Sequence, residues 1–340
     1  MGSMDKLDQH SLSAKLRGIV RCTDCHAPLA EAGGAFVCAL CGSRFPLVHG
    51  VYRFVDAEDY AASFGWQWQR YSTTQLDTLG TGSDEDFRKR TAIDPRELQG
   101  KLVLDVGCGM GRFAEVATRW GAEVVGIDLS DACEVAAQNL GGRDFVPLQA
   151  DALKLPFAPE SFDYIYSIGV LHHTPDCERA FKSLPRYLKP GGTIAVWLYS
   201  GYNKWYRFSD FYRKFTRRMP PRLLHSMLRI AVPLFYSIDR VLRAIPLIGR
   251  RLAGLVHYLF PVNLNPDPRL RLLDTFDWYS PEYQSKHTYE EVFRWFESCG
   301  LEGLTVGELT LSVRGRKPGA FGQEVLRAEE KQAEWELPTA

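Results

Sequence analysis

The chain of 340 residues contains no apolar run of about 20 residues, so no membrane-spanning helix is expected. It also lacks net charge, since 41 Lys and Arg balance 41 Asp and Glu. A general nucleic-acid binder usually carries a net basic footprint, and that class is disfavoured here. The first 18 residues are polar, without the continuous apolar stretch of a secretory signal, and Met1-Gly2-Ser3 ahead of Met4 resembles a vector remnant. The expected compartment is therefore the cytoplasm. The length allows two or three compact units with a sizeable core.

Cysteine is present in a pattern. Cys22 and Cys25, then Cys38 and Cys41, form two C-x-x-C pairs with twelve residues between them, while Cys108, Cys133, Cys177 and Cys299 are scattered. Two such knuckles can place four thiolates around a tetrahedral ion, and zinc suits soft ligands. In a unit of some 40 residues the metal would supply folding energy that a small core cannot. With all four positions thiolate, the expected role is structural. Disulfides are the alternative, and a reducing compartment argues against them.

The densest information lies in Leu102 to Phe113, an apolar strand ending in acid, then a glycine turn, then a helix start. Glycines at 107, 109 and 111 let the backbone approach a ligand, and the helix end beyond them offers unpaired amides. Arg112 stands where a dinucleotide G-x-G-x-x-G would need its last glycine. A second apolar run, Val124 to Ile127, ends in Asp128 about 20 residues on, where a carboxylate can accept from two ribose hydroxyls. Gln149 to Phe157, Phe162 to His173 and Leu188 to Val196 follow in order.

These five segments together resemble the class I S-adenosylmethionine (SAM)-dependent methyltransferases, of the type 11 kind. The resemblance implies SAM as cofactor, with Asp128 on its ribose, Asp151 beside its adenine, and Gly107 and Gly109 under its methionine portion. Asp105, Cys108, Leu129, Ala152 and Ser167 complete the expected cofactor set, with Trp68 and Tyr71 covering it. Cys41 to Phe54 resembles the zinc-ribbon modules that accompany certain methyltransferases, usually as separate partners; here the ribbon is fused, as scaffold or substrate-side wall. A ribbon also occurs in a ribosomal-RNA guanine methyltransferase, which keeps RNA or protein open as the alternative acceptor.

The alternation of apolar strands with helices from residue 102 to 198 predicts a Rossmann-like α/β fold: a parallel-dominated, seven-stranded sheet with helices on both faces. Strands are expected at 102–106, 123–127, 145–148, 162–168, 193–198, 302–306 and 309–314, and helices at 111–120, 130–139, 177–187 and from Thr288. The units read as a ribbon (1–58), an aromatic helical cover and linker (59–100), a SAM-binding core (101–200), a helical insertion (201–286), the end of the core (287–320) and a charged tail (321–340). In the cover, Tyr60, Phe64, Trp66, Trp68 and Tyr71 either dock the ribbon or close the cofactor pocket.

The insertion departs most from a minimal domain of this kind. Between Ser200 and Phe260 twelve Lys or Arg face only two acids, Asp210 and Asp239, and apolar stretches alternate with the arginines. Pro220, Pro221, Pro233 and Pro246 are expected to break the helices. Three roles fit: a solvated lid, a basic and greasy pocket for a phosphate- or carboxylate-bearing acceptor, or an interfacial membrane anchor.

Methyl transfer from a sulfonium mainly requires donor and acceptor to be held close and in line. A protonated oxygen or nitrogen acceptor also needs a base, and His172 and His173 past the fourth core strand are the candidates. Tyr199, Tyr202, Tyr283 and His287 are further candidates for that role. The expected acceptor is a small molecule such as a sugar, a lipid-linked compound or a secondary metabolite. O-, N- and C-transfer are not separable from these residues.

Overall fold

The computed structural model describes residues 14–55, 61–76, 82–202 and 206–319. The charged tail, Asp56 to Tyr60 and Gly80 lie outside them. The N-terminal unit has α1 (Ala14–Ile19) and four short strands: β1 (Leu29–Ala32), β2 (Ala35–Cys38), β3 (Arg44–Val48) and β4 (Val51–Arg53). Three helices follow, α2 (Ala62–Arg70), α3 (Ser83–Thr91) and α4 (Pro95–Leu98). The alternating core comprises β5 (Leu102–Val106), α5 (Arg112–Arg119), β6 (Glu123–Asp128), α6 (Ala132–Asn139), β7 (Phe145–Gln149), β8 (Phe162–Ile168), α7 (Cys177–Ser183) and β9 (Leu188–Trp197). The insertion contributes α8 (Tyr206–Thr216), α9 (Pro221–Arg243), α10 (Gly249–Leu259) and α11 (Pro268–Tyr279), and the chain returns through α12 (Tyr289–Ser298), β10 (Glu302–Val306) and β11 (Ser312–Arg316).

The strands form one sheet in the order β1-β2-β3-β4-β7-β6-β5-β8-β9-β11-β10. The expected seven strands are the run from β7 to β10: five parallel strands, then β11 antiparallel to β9, then β10 antiparallel to β11. The sheet is nonetheless eleven-stranded and mixed, because the ribbon adds to it. β4 pairs in parallel with β7, Tyr52 opposite Leu148 and Arg53 opposite Gln149, so the edge of the core sheet is covered instead of open. Alternate residues of β5 enter different cores. Leu102, Leu104 and Val106 pack with α7, α12 and the ribbon aromatics Phe36, Tyr52 and Phe54, while Val103 packs with α3, α5 and α6. Period-two alternation in a strand buried on both sides is what puts helices on both faces.

Residues 82–100 hold α3, laced by Asp84–Arg88, Glu85–Lys89 and Asp86–Arg90 ion pairs at i,i+4, and then α4, which ends before Gly100. Two expectations are corrected. Helix α7 stops at Ser183, ahead of Pro185, which opens a separate short turn. Pro233 does not break α9, which runs through it for 23 residues. The proline is exposed, so the carbonyl it leaves without a helical partner can be solvated. A third apolar cluster joins the insertion to the cover: Leu224, Leu228 and Val232 of α9 meet Phe276 and Tyr279 of α11, with Trp66 of α2 against them.

The ribbon is held to the core by Arg53. Its guanidinium pairs with Glu134, lies 3.4 Å from Asp131 and donates to the Gln149 side chain at 2.6 Å. Removing it would leave Glu134, whose side chain is only 20% exposed, with just the exposed His49 ring beside it. Arg53→Ala should therefore cost about 2 kcal/mol of stability, read from denaturant unfolding. An unchanged midpoint would show that the strand pairing alone holds the ribbon in place.

Candidate active site

The carboxyl ends of the core strands open into a cavity of about 640 Å³. Its floor is Gly107 to Met110, its far wall Ile127 to Leu129 with Ala150 and Ala152, and its cover Phe64, Gln67 and Trp68 of α2. Gly107 has φ 82°, and a Cβ there would stand 2.3 Å from the Val170 methyls. No other residue fits that turn. A Cβ on Gly109 would lie 3.1 Å from the indole nitrogen of Trp68, so the backbone and the ring meet directly. Gly111 packs on Leu140 and Ala136 instead, outside the cavity lining.

Asp128 is fixed from both sides. One carboxylate oxygen accepts from the Gly109 N–H at 2.9 Å, and the other accepts from the Ser130 N–H and hydroxyl at 2.9 and 2.7 Å. Burial raises its pKa, and the bonds from Ser130 and Gly109 oppose that shift. A carboxylate has about four acceptor sites, so about one stays available toward the cavity. Cys108, Leu129, Ala152 and Trp68 also border the cavity.

The other expected cofactor residues stand apart from its lining. Asp105 is buried behind the glycine turn, where its carboxylate accepts from the Tyr166 hydroxyl at 3.1 Å. Ser167 donates to the Val106 carbonyl at 2.9 Å, tying β8 to β5. Asp151 accepts from the Leu153 N–H at 2.8 Å and turns the loop after β7. The Tyr71 hydroxyl lies 2.8 Å from Nε2 of His225, so this ring docks the cover onto α9.

The two adjacent histidines divide. His172 is fully buried against the Tyr199 ring, centroids 3.9 Å apart, and neither ring nitrogen has a partner. It is not part of the cavity lining. His173 is. Its Nδ1 lies 2.9 Å from the Tyr283 carbonyl, which can only accept, so Nδ1 carries the proton and Nε2 is left as an acceptor. That Nε2 is buried without a partner. Burial lowers the His173 pKa below the ordinary 6.5, opposed by Asp277 and the Tyr283 carbonyl, which keeps the ring neutral at pH 7.

The remaining wall comes from α3, which had no expected site role, and from the end of the insertion, which was expected on the acceptor side. Helix α3 supplies Asp86 and Arg90, with Arg90 over the Trp197 ring at 3.8 Å. Helix α11 and the loop before it supply Asn263, Asp274, Asp277 and Trp278. Asp277 accepts from the Tyr199 hydroxyl at 2.8 Å, and Asp274 accepts from the Asn263 amide at 3.0 Å. Burial pushes Asp274 up to about 7, with Asp277 adding to the shift and Arg112 and Arg90 opposing it. Arg250, Arg251 and Tyr202 are exposed and outside the cavity, and the half-buried His287 is outside it too. The acid-then-base spacing of α3 was a readable helix signal, whereas nothing local marks α11 as a cavity wall.

In the ribbon, the sulfurs of Cys22, Cys25, Cys38 and Cys41 all lie within 4.8 Å of one another. The closest pairs, at 3.4 to 3.5 Å, are too far apart for a disulfide and near the ~3.8 Å sulfur spacing of a tetrahedral zinc thiolate site. No residue from 14 to 55 lines the cavity.

Residues 104–196 match the methyltransferase domain family, spanning β5 through β9 and both histidines. Over 145 residues the chain is 33% identical to a demethylmenaquinone methyltransferase of Thermobifida fusca, covering 42% of this chain and 61% of that protein. It is 32% identical over 147 residues to a ubiquinone biosynthesis O-methyltransferase of Pseudomonas fluorescens (42% and 63%). With the methyltransferase GfsG of Streptomyces halstedii it shares 41% over 103 residues (28% and 37%). The chain thus spans between about a third and under two thirds of these relatives. The family match is confined to residues 104–196, which run from the glycine turn through both histidines.

Asp105 gives a pH test of this core. Burial raises its pKa to about 8, the Tyr166 hydroxyl opposing and Asp128 adding to the shift. A raised folded-state pKa means stability is fully present below the unfolded value of about 3.9 and is lost as pH rises through about 8. Asp105→Asn removes that titration. Thermal unfolding from pH 5 to pH 9 should therefore show the variant gaining on the wild type as pH rises; parallel curves would show that Asp105 is already ionised at pH 5.

Proposed function

We propose that the protein is a SAM-dependent methyltransferase acting on a small-molecule acceptor, with His173 as general base. The observation that carries the reading is the buried, unpartnered Nε2 of His173 on the cavity wall. SAM, when bound, supplies an electrophilic sulfonium methyl for in-line transfer. Asp128 and Leu129 would hold its ribose and Ala152 its adenine edge, while Gly107, Gly109 and Trp68 flank its methionine portion. The close approach at both glycines and the spare acceptor capacity of Asp128 fit such a ligand.

The chain's own contribution is positioning and proton handling. Tyr283 fixes the His173 tautomer, so Nε2 can accept a proton from an acceptor hydroxyl or amine. Tyr199 and Asp277 border the same space as a hydrogen-bonded pair able to orient that acceptor. The quinone-pathway names of two relatives favour an acceptor with an aromatic or hydroxylated ring. The ribbon's distance from the cavity gives no support to RNA or protein docking through it. His173→Gln should lower kcat by about 10²–10⁴ while S-adenosylhomocysteine affinity, measured by calorimetry, stays within about threefold. An unchanged kcat would remove the base from the mechanism.

The four cysteines would hold one structural zinc with no open position. Its loss should release the ribbon from β7 rather than alter the cavity directly. Elemental analysis of reduced protein should find about one zinc per chain. Cys25→Ser should give protease-sensitive protein, and metal-free wild type with unchanged unfolding would contradict a structural role.

A further inference from the structure

Helix α9 carries two apolar stripes. Leu224, Leu228 and Val232 are buried against α11. Leu223, Met227, Ile230, Leu234 and Val241, spaced by four, three, four and seven residues, form a second stripe on the same helix, each between 49% and 75% exposed. The stripe continues into the turn to α10, where Ile245 and Ile248 are exposed and Leu247 is 100% exposed. Among the described residues, thirteen of the eighteen exposed large apolar side chains fall between Phe211 and Phe260, so this is one patch and not the usual scatter.

The same surface is cationic. Arg222, Arg229 and Arg240 recur at seven and eleven residues along α9, all exposed, and Arg243, Arg250 and Arg251 bracket the apolar turn. From Phe211 to Phe260 the one acid is Asp239, buried and paired with Arg243. None of these arginines lines the cavity. No helix among the described residues is long and apolar enough to cross a membrane.

We infer that the α9–α10 hairpin is a membrane-docking device, seated on an anionic phospholipid surface with Leu247 and Ile248 inserted and the arginines on the headgroups. Charge selects this occupant. A second copy laid on the same face would oppose cation with cation, with no exposed acid in the segment to pair them. An anionic bilayer supplies both the negative charge and the apolar layer beneath it. The inference is independent of the catalytic reading, because the hairpin touches no cavity residue's role assigned above.

Cosedimentation with vesicles of phosphatidylcholine containing about 30 mol% phosphatidylglycerol tests it directly. The full-length protein should bind these vesicles at low salt and bind at least about fivefold less in pure phosphatidylcholine or about 0.5 M salt. The double variant Leu247→Glu, Ile248→Glu should bind at least about tenfold less with an unchanged unfolding midpoint, since both side chains are exposed; Arg250→Gln with Arg251→Gln should weaken binding on anionic vesicles only. Absence of binding at low salt, or wild-type binding by the double glutamate variant, would overturn the inference. So would a wild-type dimer in analytical ultracentrifugation that the glutamate variant converts to monomer, because the face would then belong to a second copy.

Discussion

The turn after β5 has no room for a side chain at Gly107, and the geometry of the cavity follows from that contact. Val170 occupies the space a Cβ would need, which brings the loop after β8 onto the glycine turn and sets His173 three residues further on. The Gly109 N–H then reaches Asp128 at the end of β6, and its bare Cα admits the Trp68 ring from the cover. Three elements distant in sequence are therefore locked to one short backbone segment. A methyl group at position 107 would push Val170 and its loop off the turn.

Burial does the electrostatic work on that frame. It keeps His173 neutral, and the Tyr283 carbonyl decides which nitrogen is free. It pushes Asp105 to about 8 and Asp274 to about 7, whereas His172 is walled off against Tyr199. Neighbours in sequence thus acquire different chemistry because one faces the cavity and the other the core. At the opposite edge of the sheet, β4 closes β7 and Arg53 bridges to Glu134, so the ribbon is a structural extension of the core.

The core strands, the glycine turn and the four-cysteine cluster were legible in the sequence, because each rests on local periodicity or spacing. Leu102 to Val106, Val124 to Asp128 and Phe162 to Ile168 read as strands for that reason, and the knuckle spacing brought the sulfurs together. What the sequence hid was long-range. The addition of β4 to the edge of β7 joins residues 53 and 149, and no local pattern marks it. Tyr71 read as a pocket residue beside Trp68, yet the chain turns after α2 and sends it to His225. The arginines of the insertion drew attention by number, while the part that reaches the cavity, α11, carries Asp274 and Asp277. Composition told how charged the segment is and not which face looks inward.

The most direct measurement is a crystal structure of the protein with S-adenosylhomocysteine. The expected result is the ribose on the Asp128 carboxylate, the amino-acid portion over Gly107 and Gly109 beneath Trp68, and the sulfur on the side of the cavity that His173 borders. Ligand bound elsewhere, or Nε2 of His173 bonded to a protein group and closed off from that sulfur, would contradict it.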